Sequence, residues 1–271
     1  MKFSYIRKDN KAYKIFIQAI CMVAHGIDSH CHLEKMDESI IGEAKKHIAG
    51  IVTICADIAD AKKTLSLADN KFVFPSFGLH PESSGKYPQK SIDDYIQFIF
   101  SNKKKIVSVG EVGIDYICHK KIEEQKRDEE IFKQFIDLSK ETGLPLVIHS
   151  RGDSAVHDVI KILSGENCKG SILHFFSGNE DDLKYALELD YWIAYNTIIC
   201  KSKRYAKLIE KTPLDKILLE TDAPWCTPFS EGTNVPWNIH ESAKKIGEIL
   251  SLTKEEVLVQ TEENTKKAYG L

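Results

Sequence analysis

One unit recurs eight times along this chain and limits its folding more than any other feature: a short β-rich apolar run, a polar loop, then a helical pattern. The runs occupy residues 26–30, 50–56, 72–79, 106–113, 144–149, 171–176, 191–196 and 217–222. Strands that alternate with helices pair in parallel, because each helix returns the chain to the edge it left. Eight such units predict a single-domain α/β fold, the (β/α)8 TIM barrel, whose usual length is about 250 residues. The rival is a doubly wound open sheet. It needs fewer strands and a GxGxxG loop after the first one, and no such loop is there.

The helical stretches support the barrel. Residues 122–141 set Ile122, Ile131, Phe132, Phe135, Ile136 and Leu138 among many charges, and Gly143 and Pro145 then stop the helix. A second helix opens at Asn179 with an acidic first turn, and residues 252–268 read as one or two packing helices. Of the 271 residues, 42% are hydrophobic and 28% charged, which suits a well-buried core and argues against disorder.

Charge and cysteine usage exclude several classes. With 37 basic and 40 acidic side chains the net charge is −3, so the chain is no uniformly basic nucleic-acid coat. An enzyme with a local basic patch remains open. Seven cysteines, at 21, 31, 55, 118, 168, 200 and 226, form no CxxC pair. Neither a disulfide framework nor a structural zinc site is expected, and a reducing, cytoplasmic setting is. No apolar run reaches the roughly 18 residues of a membrane span, so no membrane partner is expected. Lys2, Arg7, Lys8, Lys11 and Lys14 precede an apolar stretch, 15–24, in the manner of a leader. That stretch runs straight into the first strand. Residues 1–25 therefore read as an extension ahead of a barrel at 26–271, with Met22 as an alternative start.

The polar residues fall at the carboxyl ends of the runs. His30 and His32 share one face of an extended segment, because side chains alternate along a strand. Glu111, His149, His174 and Asp222 close the fourth, fifth, sixth and eighth runs, and His80 closes the third. In a barrel all these ends meet at one mouth, where active sites are built. A single histidine there is ordinarily a satisfied core residue. Four histidines and two carboxylates at matching ends are a metal-site inventory suited to zinc, with magnesium or manganese also open.

The ordered set resembles the TatD family of metal-dependent deoxyribonucleases, within the wider amidohydrolase-like barrels. The resemblance spans residues 26–271. It rests on His30-x-His32, Gly-Leu-His80-Pro81, Gly110-Glu111-Val-Gly-Ile-Asp115, His149-Ser-Arg151 and His174-Phe-Phe-Ser-Gly178. It continues through Glu220-Thr-Asp222-Ala-Pro224-Trp225 and Asn264-Thr-Lys-Lys-Ala-Tyr. It implies two divalent ions, one held by His30, His32, Glu111 and Asp222, the other by Glu111, His149 and His174. Glu111 would bridge them, as a carboxylate can and a neutral imidazole cannot. Paired ions clamp the attacking and leaving oxygens of a phosphodiester. Asp222 would contact an ion and also take the proton of the attacking water. The implied substrate is DNA, cut 3′-to-5′ from single strands or ends, with no obligate protein partner.

Several residues carry two readings. Arg151, two residues beyond His149, grips a phosphate or makes a surface ion pair. Lys201, Lys203 and Arg204 form a positive rim or a solvated helix start. Lys103, Lys104 and Lys105 precede the fourth run and read as solvated surface at the opposite end. His80 shuttles a proton, binds phosphate or holds its turn. Glu220 supports the ligands or fills the barrel. Trp225 stacks a base or packs beneath its loop; Tyr116 and Cys226 read as packing. Phe175 stands where many family members carry Cys, Gly152 separates Arg151 from Asp153, and the loop after Trp225 is short. The alternatives to a nuclease are an ester or amide hydrolase using the same metals, such as a D-aminoacyl-tRNA deacylase, and a barrel kept only as a binding module.

Overall fold

The computed structural model describes residues 25–271. Eight parallel strands pair in sequence order, β1 to β8, as a nearly closed barrel. They are β1 Ile27–Cys31, β2 Gly50–Cys55, β3 Val73–Phe77, β4 Ser108–Asp115, β5 Leu146–Arg151, β6 Ile172–Leu173, β7 Trp192–Tyr195 and β8 Ile217–Leu219. The expectations for residues 1–21 and for the leader-like stretch fall outside the described span, apart from its junction with β1. Among the described residues no helix is long and apolar enough to cross a membrane.

Ten α-helices of the described residues surround the barrel. They are α1 Ser39–Ala44, α2 Ala61–Leu67, α3 Pro81–Ser84, α4 Gln89–Ser101 and α5 Ile122–Thr142, then α6 Ala155–Gly165, α7 Glu180–Glu188, α8 Ala206–Lys211, α9 Ile239–Leu250 and α10 Lys254–Tyr269. The termini obey local chemistry. Asn179 caps α7 by accepting from the N–H groups of Asp181 and Asp182. Thr253 caps α10, which takes up the tail as one helix. Gly143, at φ 72°, ends α5 in the left-handed conformation that glycine adopts freely.

Strand limits differ from the expected runs in an informative way. β4 continues to Asp115, so Glu111 lies inside a strand and not at its end. β6 and β8 stop at Leu173 and Leu219, leaving His174 and Asp222 just beyond the ladder. Apolar sequence alone does not mark where backbone pairing stops.

Alternation along each strand divides the interior into two levels. Val52, Ile54, Val147, Ile172, Ala194 and Leu218 form a buried apolar cluster, closed by Ala268 and Tyr269 of α10. Two residues further along the same faces come His149, His174 and Glu220, all in the polar upper level. A larger apolar layer lies between strands and helices and includes Phe132, Phe135 and Ile136 of α5. Fully burying one such side chain stabilises the fold by roughly 1.5–3 kcal/mol.

The seam between β8 and β1 is made by loop backbone and one buried carboxyl. Asp222 N donates to the His30 carbonyl at 2.9 Å, and His32 N donates to the Ala223 carbonyl at 2.8 Å. Beneath them Asp28 accepts from Thr221 N at 3.0 Å and from Thr221 Oγ1 at 2.6 Å. Burial pushes the Asp28 carboxyl well up, against the pull of these Thr221 bonds. Thr221→Val keeps the side-chain shape and removes one of the two donors. It should lower unfolding stability by about 1–3 kcal/mol in urea titration, and an unchanged midpoint would remove this contact from the seam.

Candidate metal centre

Four imidazoles and two carboxylates converge at the carboxyl mouth. The Nε2 atoms of His30 and His32 lie 3.3 Å apart. Two nitrogens sharing one tetrahedral ion at about 2.05 Å sit about 3.3 Å apart. Asp222 Oδ1 lies 3.3 Å from His32 Nε2 and 3.8 Å from His30 Nε2. Groups of donors close enough to share a cation include His30, His32 and Glu111, then His30, His174 and Glu220, then His80, Asp115 and His149. The donor set therefore fits divalent ions.

Glu111 stands between the histidine groups. Its Oε2 faces His30 Nε2 at 3.4 Å and His32 Nε2 at 4.0 Å. Its Oε1 faces His149 Nδ1 at 2.7 Å and His174 Nε2 at 3.6 Å. The carboxylate is brought here by close strand approach. A Cβ on Gly78 would stand 2.4 Å from the Glu111 carbonyl, and one on Gly113 would stand 2.0 Å from the His149 carbonyl. Only glycine leaves room for β3 and β5 to press against β4 at these points.

The electrostatics follow from this crowding. Burial works to raise the Glu111 carboxyl, but His174, His149 and His30 outweigh it and hold it well below the carboxylate range. Burial and the neighbouring His174 lower His30, which favours a neutral imidazole with a free lone pair. Burial also opposes charge on His174, yet Glu220 and Glu111 push it up to about 9. Asp222 is kept low despite burial, by His32 and His174.

A second ring of carboxylates backs the histidines. Glu220 Oε2 lies 2.9 Å from His174 Nδ1, and its Oε1 accepts from Phe175 N at 2.7 Å. That second bond holds Phe175 at φ 43°, a strained value for a bulky residue. Asp115 Oδ2 lies 3.1 Å from His149 Nε2. Sequence reasoning assigns no role to Asp115 or Glu34. Asp115 closes the Gly110–Asp115 motif and falls four residues after Glu111 on one strand, and the motif and that even spacing are the signals that point to it.

The remaining sequence candidates separate. His80 does two things: its Nδ1 accepts from Glu82 N and caps α3, while its Nε2 lies 3.1 Å from His149 Nδ1. Burial and His149 pull it down to about 3, so it is a neutral imidazole. A cavity of about 610 Å³ opens over the cluster, and Arg151, Trp225 and Cys226 line it. Arg151 is exposed and Trp225 is half exposed, its ring 5.0 Å from that of His32. Cys226 Sγ lies 3.5 Å from Asp222 Oδ2, so it belongs to the cavity wall. Tyr116 packs against the core and bonds Asp158. Lys201 and Arg204 are outside the residues lining the cavity. The Arg204 guanidinium is instead engaged with the carbonyls of Ser177 and Gly178.

Known proteins are similar to this chain over most of its described length. The family model described as TatD related DNase matches residues 27–270. An uncharacterized metal-dependent hydrolase of Methanocaldococcus jannaschii is 31% identical over 249 residues, covering 90% of this chain and 96% of that protein. The human protein named deoxyribonuclease TATDN3 is 29% identical over 259 residues, covering 90% and 94%. The solved structure of YJJV, a TatD homologue from Escherichia coli, superposes with a TM-score of 0.83 at 23% identity, covering 92% of this chain and all of that one. At that identity the superposition supports the barrel fold alone.

His174 provides a test of the donor set. Below about 9 it carries two ring protons, and one must leave before Nε2 can donate a lone pair. Cation uptake at pH 7–8 should therefore release protons and weaken as the pH falls. In the metal-free protein, the ion pairs of His174 stabilise the fold fully below its unfolded value of about 6.5, and that support fades as pH rises through about 9. Calorimetric titration in two buffers of different ionisation enthalpy measures the release; identical heats in both would contradict it.

Proposed function

This chain belongs to the TatD-related DNase family of metal-dependent hydrolases, and on that premise we propose that it hydrolyses DNA phosphodiester bonds at the β-barrel mouth. One observation carries the metal reading: the two oxygens of Glu111 face two different histidine groups, as a bridging carboxylate does. The family match and the name of the human relative support the phosphodiester.

The residues divide the work. His30, His32 and Asp222 would hold one ion with Glu111, and His149 and His174 would hold the other with the opposite oxygen of Glu111. Bound divalent ions supply Lewis acidity at the phosphoryl oxygen and lower the pKa of water. Asp222 keeps Oδ1 toward His32 and has Oδ2 beside Cys226, in the cavity wall. Its low pKa keeps it ionised, and Oδ2 would accept the proton of the attacking water. Arg151 presents an exposed guanidinium to the same cavity, where it would grip a non-bridging phosphate oxygen pair. Neutral His80, beside His149, can donate to a phosphate oxygen through Nε2, because Nδ1 is occupied by Glu82 N. Trp225 offers an exposed ring for an unpaired base. The exposed ring favours single strands and ends, and the family resemblance is what suggests cutting from the 3′ end.

The assay offers 3′-labelled single-stranded DNA, a D-aminoacyl-tRNA and an ester panel to metal-loaded protein, with chelator controls. Metal-dependent loss of 3′ nucleotides, absent in Glu111→Ala, is the expected result. Asp222→Asn should keep the fold and lower turnover by about 10²–10⁴-fold, as loss of a general base does. Turnover of the carbonyl substrates alone would keep the metals and reassign the reaction. Arg151→Glu should raise KM for the oligonucleotide about tenfold with unchanged metal content. An unchanged KM would take Arg151 out of substrate binding.

A further inference from the structure

Glu34 is a buried carboxylate whose two oxygens have no hydrogen-bond partner. Leaving a carboxylate so placed is unfavourable, and a leucine or glutamine of similar volume would fill the space without it. The nearby ammonium groups do not serve it. Lys35 Nζ reaches Asp60 Oδ2 at 2.5 Å, and Lys63 Nζ reaches the backbone carbonyl of Glu34 at 2.5 Å. What Glu34 does approach is His32: Oε1 lies 3.5 Å from Nδ1. The other ring nitrogen of His32, Nε2, points into the donor cluster.

We propose that Glu34 is the positioning residue for His32, fixing its ring with Nδ1 hydrogen-bearing and Nε2 free for a cation. This rests on the metal reading of the site. When Nε2 gives its lone pair to a cation, the ring hydrogen must sit on Nδ1, which faces Glu34. A carboxylate accepting that hydrogen orients the ring and makes Nε2 a stronger donor. His174 with Glu220 at 2.9 Å and His149 with Asp115 at 3.1 Å make the hydrogen-bonded form of this pairing, which the longer Glu34–His32 approach resembles. His30 is the exception, since its Nδ1 has no partner. Without Glu34, neither His30 nor His32 has an acceptor to set its tautomer. Glu34 thus controls the ion held by His30 and His32, and Glu220 and Asp115 serve the ion on the far side of Glu111.

The test reads metal uptake and ring state and needs no substrate. The full-length protein is stripped with chelator, then titrated with Zn²⁺ against a chromophoric chelator, with Co²⁺ absorption as a second probe. Glu34→Leu should weaken one of the two ions by roughly 10- to 100-fold and leave the other within twofold. Glu34→Gln keeps an acceptor and loses the charge, so its effect should be smaller and on the same ion; Glu34→Asp should recover part of the loss. In ¹⁵N spectra of the Zn²⁺-loaded protein, His32 Nδ1 should carry the hydrogen in the wild type and lose that single signature in Glu34→Leu. Affinities unchanged in both Gln and Leu variants, or both ions weakened equally, overturn the proposal while the metal reading stands. A wild type that takes up no Zn²⁺ or Co²⁺ overturns the metal reading, and this proposal with it. DNA cleavage is not read, so a failed nuclease assay leaves these outcomes intact.

Discussion

The upper half of this barrel depends on one buried carboxylate kept ionised among imidazoles. Glu111 is almost wholly shielded from water, and burial alone would drive it toward the neutral acid. Histidines on three other strands or strand ends reverse that. His30 approaches one oxygen, and His149 and His174 approach the other. In the protein without cations the compensation is proton-borne, chiefly on His174. The same geometry gathers His, Glu and Asp donors close enough to share cations. The protein thus meets one desolvation problem with an arrangement that cations can take over from protons.

That arrangement constrains the scaffold around it. Gly78 and Gly113 let β3 and β5 close on β4, so that Glu111 reaches both groups. The β8–β1 seam holds His30 and Asp222 on adjoining backbone, through their own peptide groups and the buried Asp28–Thr221 contact. Glu220 fixes His174 and the left-handed turn at Phe175 together. Asp222 itself sits at φ 58°, a conformation Asp tolerates better than most residues. Stability and site geometry are therefore carried by the same bonds. The apolar level beneath, from Val52 to Leu218, supplies the rigid floor.

Much of this is legible in the amino-acid sequence. His149 and His174 stand out because each interrupts an apolar run where parity keeps it on the inner face, although β5 continues past His149 to Arg151 and β6 stops before His174. Asn179 and Gly143 announce helix ends through local hydrogen bonding and backbone freedom. Less legible are contacts that depend on which strands become neighbours. Asp115 shows a motif position and an even spacing from Glu111, but its pairing with His149 needs the β4–β5 register. Glu34 continues the even spacing of His30 and His32, but it lies in a 3₁₀ turn after β1, where that spacing no longer fixes the face. Arg204 reads as a free cation in sequence, but the loop after β6 supplies carbonyls that occupy it.

The order of residues along the chain is enough to set the kind of fold and the kind of chemistry. Eight apolar runs separated by helices leave a parallel barrel as the economical way to bury every run, and period-two alternation places donors at one end. Which donor faces which is settled in three dimensions. Whether Glu111 touches one histidine group or two depends on strand twist, glycine-permitted approach and seam closure. Those are distances between residues far apart in the chain, 193 positions for Asp28 and Thr221, and no local pattern encodes them. Local sequence fixes what a residue can donate; packing fixes what it donates to.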